Sequence, residues 1–253
     1  MMSARPTRFV LPLLATIIFF LAVGALAQTT NDWFDAVIQG RKLAQQLCEA
    51  RPTENFTNTG VLKIKDGKGR RPEIPVKCVV VVTPTNWQNT YEAFFTNTTE
   101  TLKIFHPVSQ AHQLEGDYTF RHEYPAAGRP DADTTFAGSD FRVADLALEF
   151  FDWPYQKILP GSTSLKRGRA YTLLESTNPN PSTNGYSRVL TWIDKESGGI
   201  LEAEAYDVDG RLLKEFAPKT FKKVNGQWEL QEMEIRNVQT GSRTRLEFDL
   251  KPE

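Results

Sequence analysis

WIDKESGGILEAEAYDVDGRLLKEF, residues 192–216, is a run of short apolar and aromatic stretches cut by Ser-Gly-Gly and Asp-Val-Asp-Gly. Strand formers bounded by glycine and acidic residues read as three strands joined by two turns. The pattern continues on both sides. Upstream lie YQKIL (155–159), RAYTLLEST (169–177) and SRVLTWID (187–194). Downstream lie TFKKV (220–224), WELQEMEIRN (228–237) and RTRLEFDL (243–250), with turns at 207–210, 225–226 and 239–241. Consecutive strands with short turns predict an antiparallel meander. In the last strand Thr244, Leu246, Phe248 and Leu250 alternate with Arg243, Arg245, Glu247 and Asp249, so one face is dry and the other wet.

The first half repeats the theme. TGVLKIK (59–65), VKCVVVV (76–82), TYEAFFT (90–96) and ETLKIFH (100–106) read as strands, and YTFRHEY (118–124) as one more. Two segments have helical spacing instead. In residues 32–50, Phe34, Val37, Ile38, Ala44, Leu47 and Cys48 form one stripe, with Asn31 or Asp32 as cap and Pro52 as stop. In residues 139–154, Val143, Leu146, Ala147, Phe150 and Phe151 form a broad apolar side, with Asp145 and Glu149 toward water and Ser139 or Asp140 as cap. A sheet of about a dozen strands must twist and curl. Two helices cannot cover both of its faces, but they can plug its concave side. The expected architecture is mainly β (α+β): a strongly curved antiparallel sheet forming an open, incomplete β-barrel with helices in the hollow.

The N-terminus stands apart. Arg5 and Arg8 precede the apolar run VLPLLATIIFFLAVGALA, which ends in Ala25-Leu26-Ala27. A basic start, an apolar middle and small residues at a cleavage site read as a secretory signal over 1–27, leaving a single domain over 28–253. An uncleaved anchor is the alternative, because the run is nearly long enough to span a bilayer. No cysteine follows the run, so no lipid attachment is expected there. Export makes a disulfide between the only cysteines, Cys48 and Cys78, the expected state.

Catalytic signatures do not emerge. His106, His112 and His122 lack metal-ligand spacing, and no phosphate loop or nucleophile motif is present. No cofactor is implied. A net charge of −1 gives no electrostatic reason to expect nucleic acid. The basic runs at 70–72 and 165–169 read as solvated loops.

Three segments carry a family resemblance. GSDFRVADLALEF (138–150) resembles the G-[ST]-D-F-S-x-x-D-L helix entry of outer-membrane lipoprotein-sorting proteins, relatives of the periplasmic lipoprotein carrier LolA. Residues 192–216 resemble their W-[IV]-D…[YF]-D-x-x-G-x-x-x-K segment, and residues 224–249 their closing hairpin, with Ser242 where a histidine is usual. Arg142 stands where the family commonly has a capping serine, and Ile200 in its usual proline region. The resemblance implies an incomplete barrel (LolA/LolB-like) around a hydrophobic cavity and a non-enzymatic periplasmic role in lipoprotein sorting. The cargo would be a lipid or a lipidated protein, handed to an envelope transport partner. Candidate lining residues are Val143, Leu146, Ala147, Phe150 and Phe151, with Leu201, Leu246 and Phe248 from the sheet. The competing expectation is an envelope accessory protein with a filled core that acts through its surface. Cavity volume separates the two.

Overall fold

The computed structural model describes residues 32–84, 86–107, 132–160, 165–224 and 226–250. The expected leader and the strand at 118–124 lie outside them, as do His112 and His122. Among the described residues no helix is long and apolar enough to cross a membrane.

Among the described residues, eleven strands form one antiparallel sheet. They are β1 (Phe56–Lys65), β2 (Glu73–Val82), β3 (Asn86–Phe94), β4 (Thr99–Pro107), β5 (Tyr155–Leu159) and β6 (Tyr171–Thr177). The rest are β7 (Arg188–Asp194), β8 (Ile200–Tyr206), β9 (Leu212–Val224), β10 (Gln227–Asn237) and β11 (Arg243–Phe248). The spatial order is β4-β3-β2-β1-β11-β10-β9-β8-β7-β6-β5, so two meanders join where the first strand meets the last. Among the described residues the sheet does not close, and β4 and β5 are its edges. A sheet of this width curls rather than lies flat, and the fold is the expected open barrel.

Alternation sets the register. Leu62 of β1 faces Leu246 of β11 on one side and Ile74 of β2 on the other, all three buried. A one-residue slip would turn these side chains to water. The two strands expected at 211–217 and 220–224 are one strand, β9, running through Pro218. Proline cannot donate to a ladder, and the pairing is irregular here, with register shifts in β10 between Leu230 and Met233. A bulge accommodates it.

Carboxylates hold the turns of the opening stretch. Asp207 accepts from the Asp209 and Arg211 amides at 3.0 and 2.9 Å. Asp194 accepts from the Ser197 hydroxyl and from Arg169, and these bonds hold its pKa down at about 2. The 165–169 loop is solvated as expected, with only Lys166 partly covered: Lys166 pairs with Glu202 at 2.7 Å and lies over the Trp192 ring, and Arg167 donates to the Pro218 carbonyl at 2.9 Å.

Both helical expectations need correction. The first helix, α1, spans 32–49, but only its second half is covered. Gly40 lies against β5 so closely that a Cβ would meet Lys157 Cα at 2.6 Å. Ala44 is buried, with Leu43, Leu47 and Cys48 packed beside it. Phe34 and Ile38 belong to the expected stripe, yet they are 59% and 63% exposed beside Trp33. The second helix is a single turn, α2 (Val143–Ala147). Leu148 then adopts the left-handed conformation (φ 51°, ψ 37°), and a 3₁₀ turn follows over Glu149–Asp152. The change of direction splits the apolar side. Val143, Leu146 and Ala147 join one core with Leu246, whereas Phe150 and Phe151 join a second with Ala44, Leu174 and Ile193. Phe216 of β9 packs against both. Glu149, expected to face water, is buried.

Candidate ligand-binding cavity

Ser139 and Asp140 do not cap α2. The Arg142 amide donates to Asp145 Oδ2 at 2.8 Å, so the first turn is closed by its own third residue. Asp140 reaches the sheet instead, accepting from the hydroxyls of Ser242 and Thr244. Asp145 also accepts from the Tyr186 hydroxyl at 2.8 Å and lies 3.3 Å from Lys214 Nζ. Lys214 is almost fully buried and also donates to the Asp140 carbonyl. Burial pulls its pKa down, and Asp145 partly offsets that. The short helix is therefore pinned to β9, β11 and the loop before β7 by polar contacts under its apolar side. Asp140 and Asp145 of the helix-entry motif meet Lys214 and Ser242 of the two later segments.

Between this pinned segment and the sheet lies a cavity of about 670 Å³, within the ~300–1,000 Å³ of pockets that enclose small ligands. One wall is Leu47 and Cys48 of α1 with Leu146, Ala147, Leu148 and Phe151. The opposite wall comes from the sheet: Val80, Trp87 and Tyr91 on one side, Ile200, Phe216, Met233 and Phe248 on the other. Phe56, Phe221 and Trp228 line it at positions 39%, 53% and 72% exposed, so apolar surface runs out to solvent there. β11 ends at Phe248, and the paired register of β10 with β11 stops at Glu232. The chain past Phe248 continues alongside the outer parts of these strands: the Asp249 amide donates to the Thr59 carbonyl, Lys222 donates to the Leu250 carbonyl, and Leu250 is buried.

The structure brings Leu146, Ala147, Phe151 and Phe248 to this cavity. Val143 and Leu246 are packed into the adjoining core, and Phe150 sits edge-on to Phe151 in the other. Leu201 does not line the cavity and Ile200 does, because the β7–β8 register shifts between Trp192 and Ile193 and leaves Leu201 unpaired. Sequence reasoning missed the β1–β3 contribution. Its signal was the alternation Trp87, Asn89, Tyr91, Ala93 in β3, which mixes polar with aromatic and does not read as a dry face.

The expected disulfide is corrected: no bridge joins Cys48 and Cys78, and both are thiols. They line one cavity, but each thiol is engaged elsewhere. Cys48 Sγ donates to Asp152 Oδ1 at 3.3 Å, and Tyr91 hydrogen-bonds the Cys78 sulfur. Burial pushes the Cys78 thiol up to about 12, far from thiolate chemistry. Thiol titration of unreduced protein should find both groups after unfolding, with Cys78 the slow one in the folded state.

Comparison with known proteins follows the same lines. A family model described only as an uncharacterized protein matches residues 127–250, the part that carries the motifs. Sequence comparison with curated proteins finds no match. Solved structures share the fold across most of the chain. A lipoprotein-sorting domain from Vibrio parahaemolyticus is 18% identical with TM-score 0.59, covering 84% of this chain and 91% of its own. A DUF1329 protein from Desulfovibrio piger is 16% identical with TM-score 0.58, covering 85% and 91%. A LolA superfamily protein from Nitrosomonas europaea is 15% identical with TM-score 0.50, covering 85% and 93%. The fold is that of the LolA-like open barrels.

Proposed function

We propose that this chain is an exported, non-enzymatic carrier that shields a lipid, or the acyl chains of a lipidated protein, in the cavity between its kinked segment and its sheet. The observation that carries the reading is the cavity: a filled interior would leave no place for a chain, and about 670 Å³ of mostly apolar space does. The basic, apolar and Ala-Leu-Ala sequence at 1–27 supports export to the periplasm. Two of the structural neighbours are a lipoprotein-sorting domain and a LolA superfamily protein, which makes outer-membrane lipoprotein transfer the favoured setting.

The physical need is clear. Each methylene moved out of water is worth about 0.8 kcal/mol, so one long acyl chain exposed in an aqueous compartment costs on the order of 10 kcal/mol. A carrier that must also release its load gains from a cavity open at one end. Here the exposed lining aromatics Phe56, Phe221 and Trp228 supply that opening.

Retention of an uncharged fluorescent lipid by the mature protein tests the reading. Saturable binding is expected. Ile200→Trp, which adds bulk at a half-buried wall position, should weaken it by about tenfold or more with unchanged far-UV circular dichroism. Phe150→Glu is the wrong probe, because Phe150 belongs to a packed core. Absence of saturable binding by the wild type would leave a protein acting through its surface.

A further inference from the structure

The end of the sheet away from the cavity mouth carries more positive charge than its neighbours neutralise. Lys65 of β1, Arg243 of β11 and Arg236 of β10 stand opposite one another across three adjacent strands. Their sequence neighbours Ile64, Thr244 and Ile235 are buried, so the three cations share the outer face. Side chains directly opposite in an antiparallel ladder lie about 5 Å apart at Cβ, and like charges there cost stability.

The β1–β2 hairpin extends the row. Lys68, Arg70 and Arg71 are exposed on it. Gly67 packs so closely on the Thr240 carbonyl that a Cβ would meet that oxygen at 2.6 Å, which brings the hairpin against the β10–β11 turn. Residues 65–73 hold four cations and two carboxylates. One of the two, Asp66, is committed within the hairpin to the Arg70 side chain and to the Lys68 and Arg70 amides. Arg236 and Arg243 reach Glu215 and Glu234 only at 3.6 Å, and Glu234 also serves Arg245 at 2.7 Å and Lys219 at 2.9 Å.

The chemistry of these groups narrows the occupant. Four of the six cations are arginines, whose planar forks pair with carboxylates through two bonds at once. A flat anionic bilayer fits poorly. The β8–β9 turn, tied to this end by the Gln239 side chain donating to Asp207 at 2.8 Å, presents exposed Asp209 beside the row. No aromatic side chain stands in residues 65–73 or 236–243 to anchor in lipid.

We propose that this end of the sheet docks an acidic segment of a protein partner, with its carboxylates laid along Lys65, Arg243 and Arg236 and over the 65–73 hairpin. β1 runs ten residues from Phe56 at the mouth to Lys65, about 30 Å of strand, so a partner held here leaves the mouth open. The docking site is independent of what the cavity holds.

A labelled peptide of alternating glutamate and serine is the probe, titrated against full-length mature protein by fluorescence anisotropy. Saturable binding that weakens as salt is raised is expected. Lys65→Gln, Arg71→Gln and Arg243→Gln should each weaken it about threefold, and together about thirtyfold. Lys195→Gln, exposed on the β7–β8 turn, should leave it unchanged. Thinning a row of like charges should keep the urea midpoint where it is or raise it, so lost binding will not be lost folding. Retention of the fluorescent lipid, measured separately, should be the same with and without bound peptide. No saturable peptide binding, undiminished binding by the triple variant, or binding of anionic vesicles in place of the peptide overturns the docking site and leaves the carrier reading as it was. Loss of lipid retention in every sample would instead remove the carrier reading and leave the docking site to the peptide titration.

Discussion

Replacing Lys214 by methionine is expected to destabilise the folded protein by about 3–5 kcal/mol, read as a lower midpoint in urea denaturation with little change in slope. The side chains of Lys214 and Asp145 are only 4% and 10% exposed, and they lie 3.3 Å apart. Loss of the ammonium leaves the Asp145 carboxylate in a dry site, with Tyr186 and the Arg142 amide as its remaining donors. It also strips the Asp140 carbonyl of a donor. Removing both charges is another matter. The double variant Lys214→Met, Asp145→Leu should recover much of the loss, since two buried apolar groups avoid the desolvation that the ions suffer. Burial lowers the lysine's pKa in the folded state, so the folded protein disfavours its charged form. That burden is fully present below the lowered pKa and eases as pH rises toward the unfolded value near 10.5. If the single and double variants lose equal stability, the pair is not coupled and the pinning of the kinked segment must be explained otherwise.

Gly60→Ala should be comparably severe for one added methyl group. A Cβ at Gly60 would sit 2.1 Å from the Glu247 carbonyl oxygen and 3.0 Å from Phe248 Cα, both backbone. No rotamer relieves such a clash, so β1 must move away from β11. The expected cost is about 3 kcal/mol or more. Because Phe248 lines the cavity opposite Gly60, lipid retention should fall with it. Gly199→Ala is the control: its nearest neighbour is a serine hydroxyl at 3.4 Å, and it should be close to neutral. Equal melting temperatures for the two variants would show that β1 and β11 can separate freely at this point.

The meander was legible because two independent signals agree along it. Asp-Val-Asp-Gly and Gln-Thr-Gly mark where strands turn, and the two-residue alternation between them says which side is dry. The kinked segment was not legible. Its apolar spacing is helical throughout, and the break occurs at Leu148, a residue with no intrinsic preference for the left-handed region. Packing of Phe150 and Phe151 on one core and Leu146 on the other imposes that conformation. The exposed half of α1 was hidden for a related reason. Periodicity reports which residues share a face but not how far the neighbouring sheet extends beneath it, and the contact at Gly40 lies on an edge strand.

The cavity itself could be only partly read. Leucine and phenylalanine line a void or fill a core with the same side chains, so Leu146 and Val143 look alike in sequence although only Leu146 meets the open space. The thiols were misjudged by the same limit. Two cysteines behind an export-like N-terminal sequence suggest a bridge, yet here Asp152 and Tyr91 take up the sulfurs. In contrast, the polar pinning was present in the motifs from the start: Asp140, Asp145, Lys214 and Ser242 are motif positions, and the structure adds only that they meet.

The pairing of the first strand with the last sets the order in which this chain can fold. β5 to β11 each pair with their sequence neighbours, and β1 to β4 do the same. Their union needs β11, the last of the described strands, so the barrel wall stays in two halves until that strand is available. Long-range closure of this kind is slow compared with hairpin formation. During the wait, the edges of β1 and β11 present unpaired backbone. A chain held unfolded until its C-terminus has crossed a membrane avoids that interval, and one released early from synthesis in a crowded compartment does not.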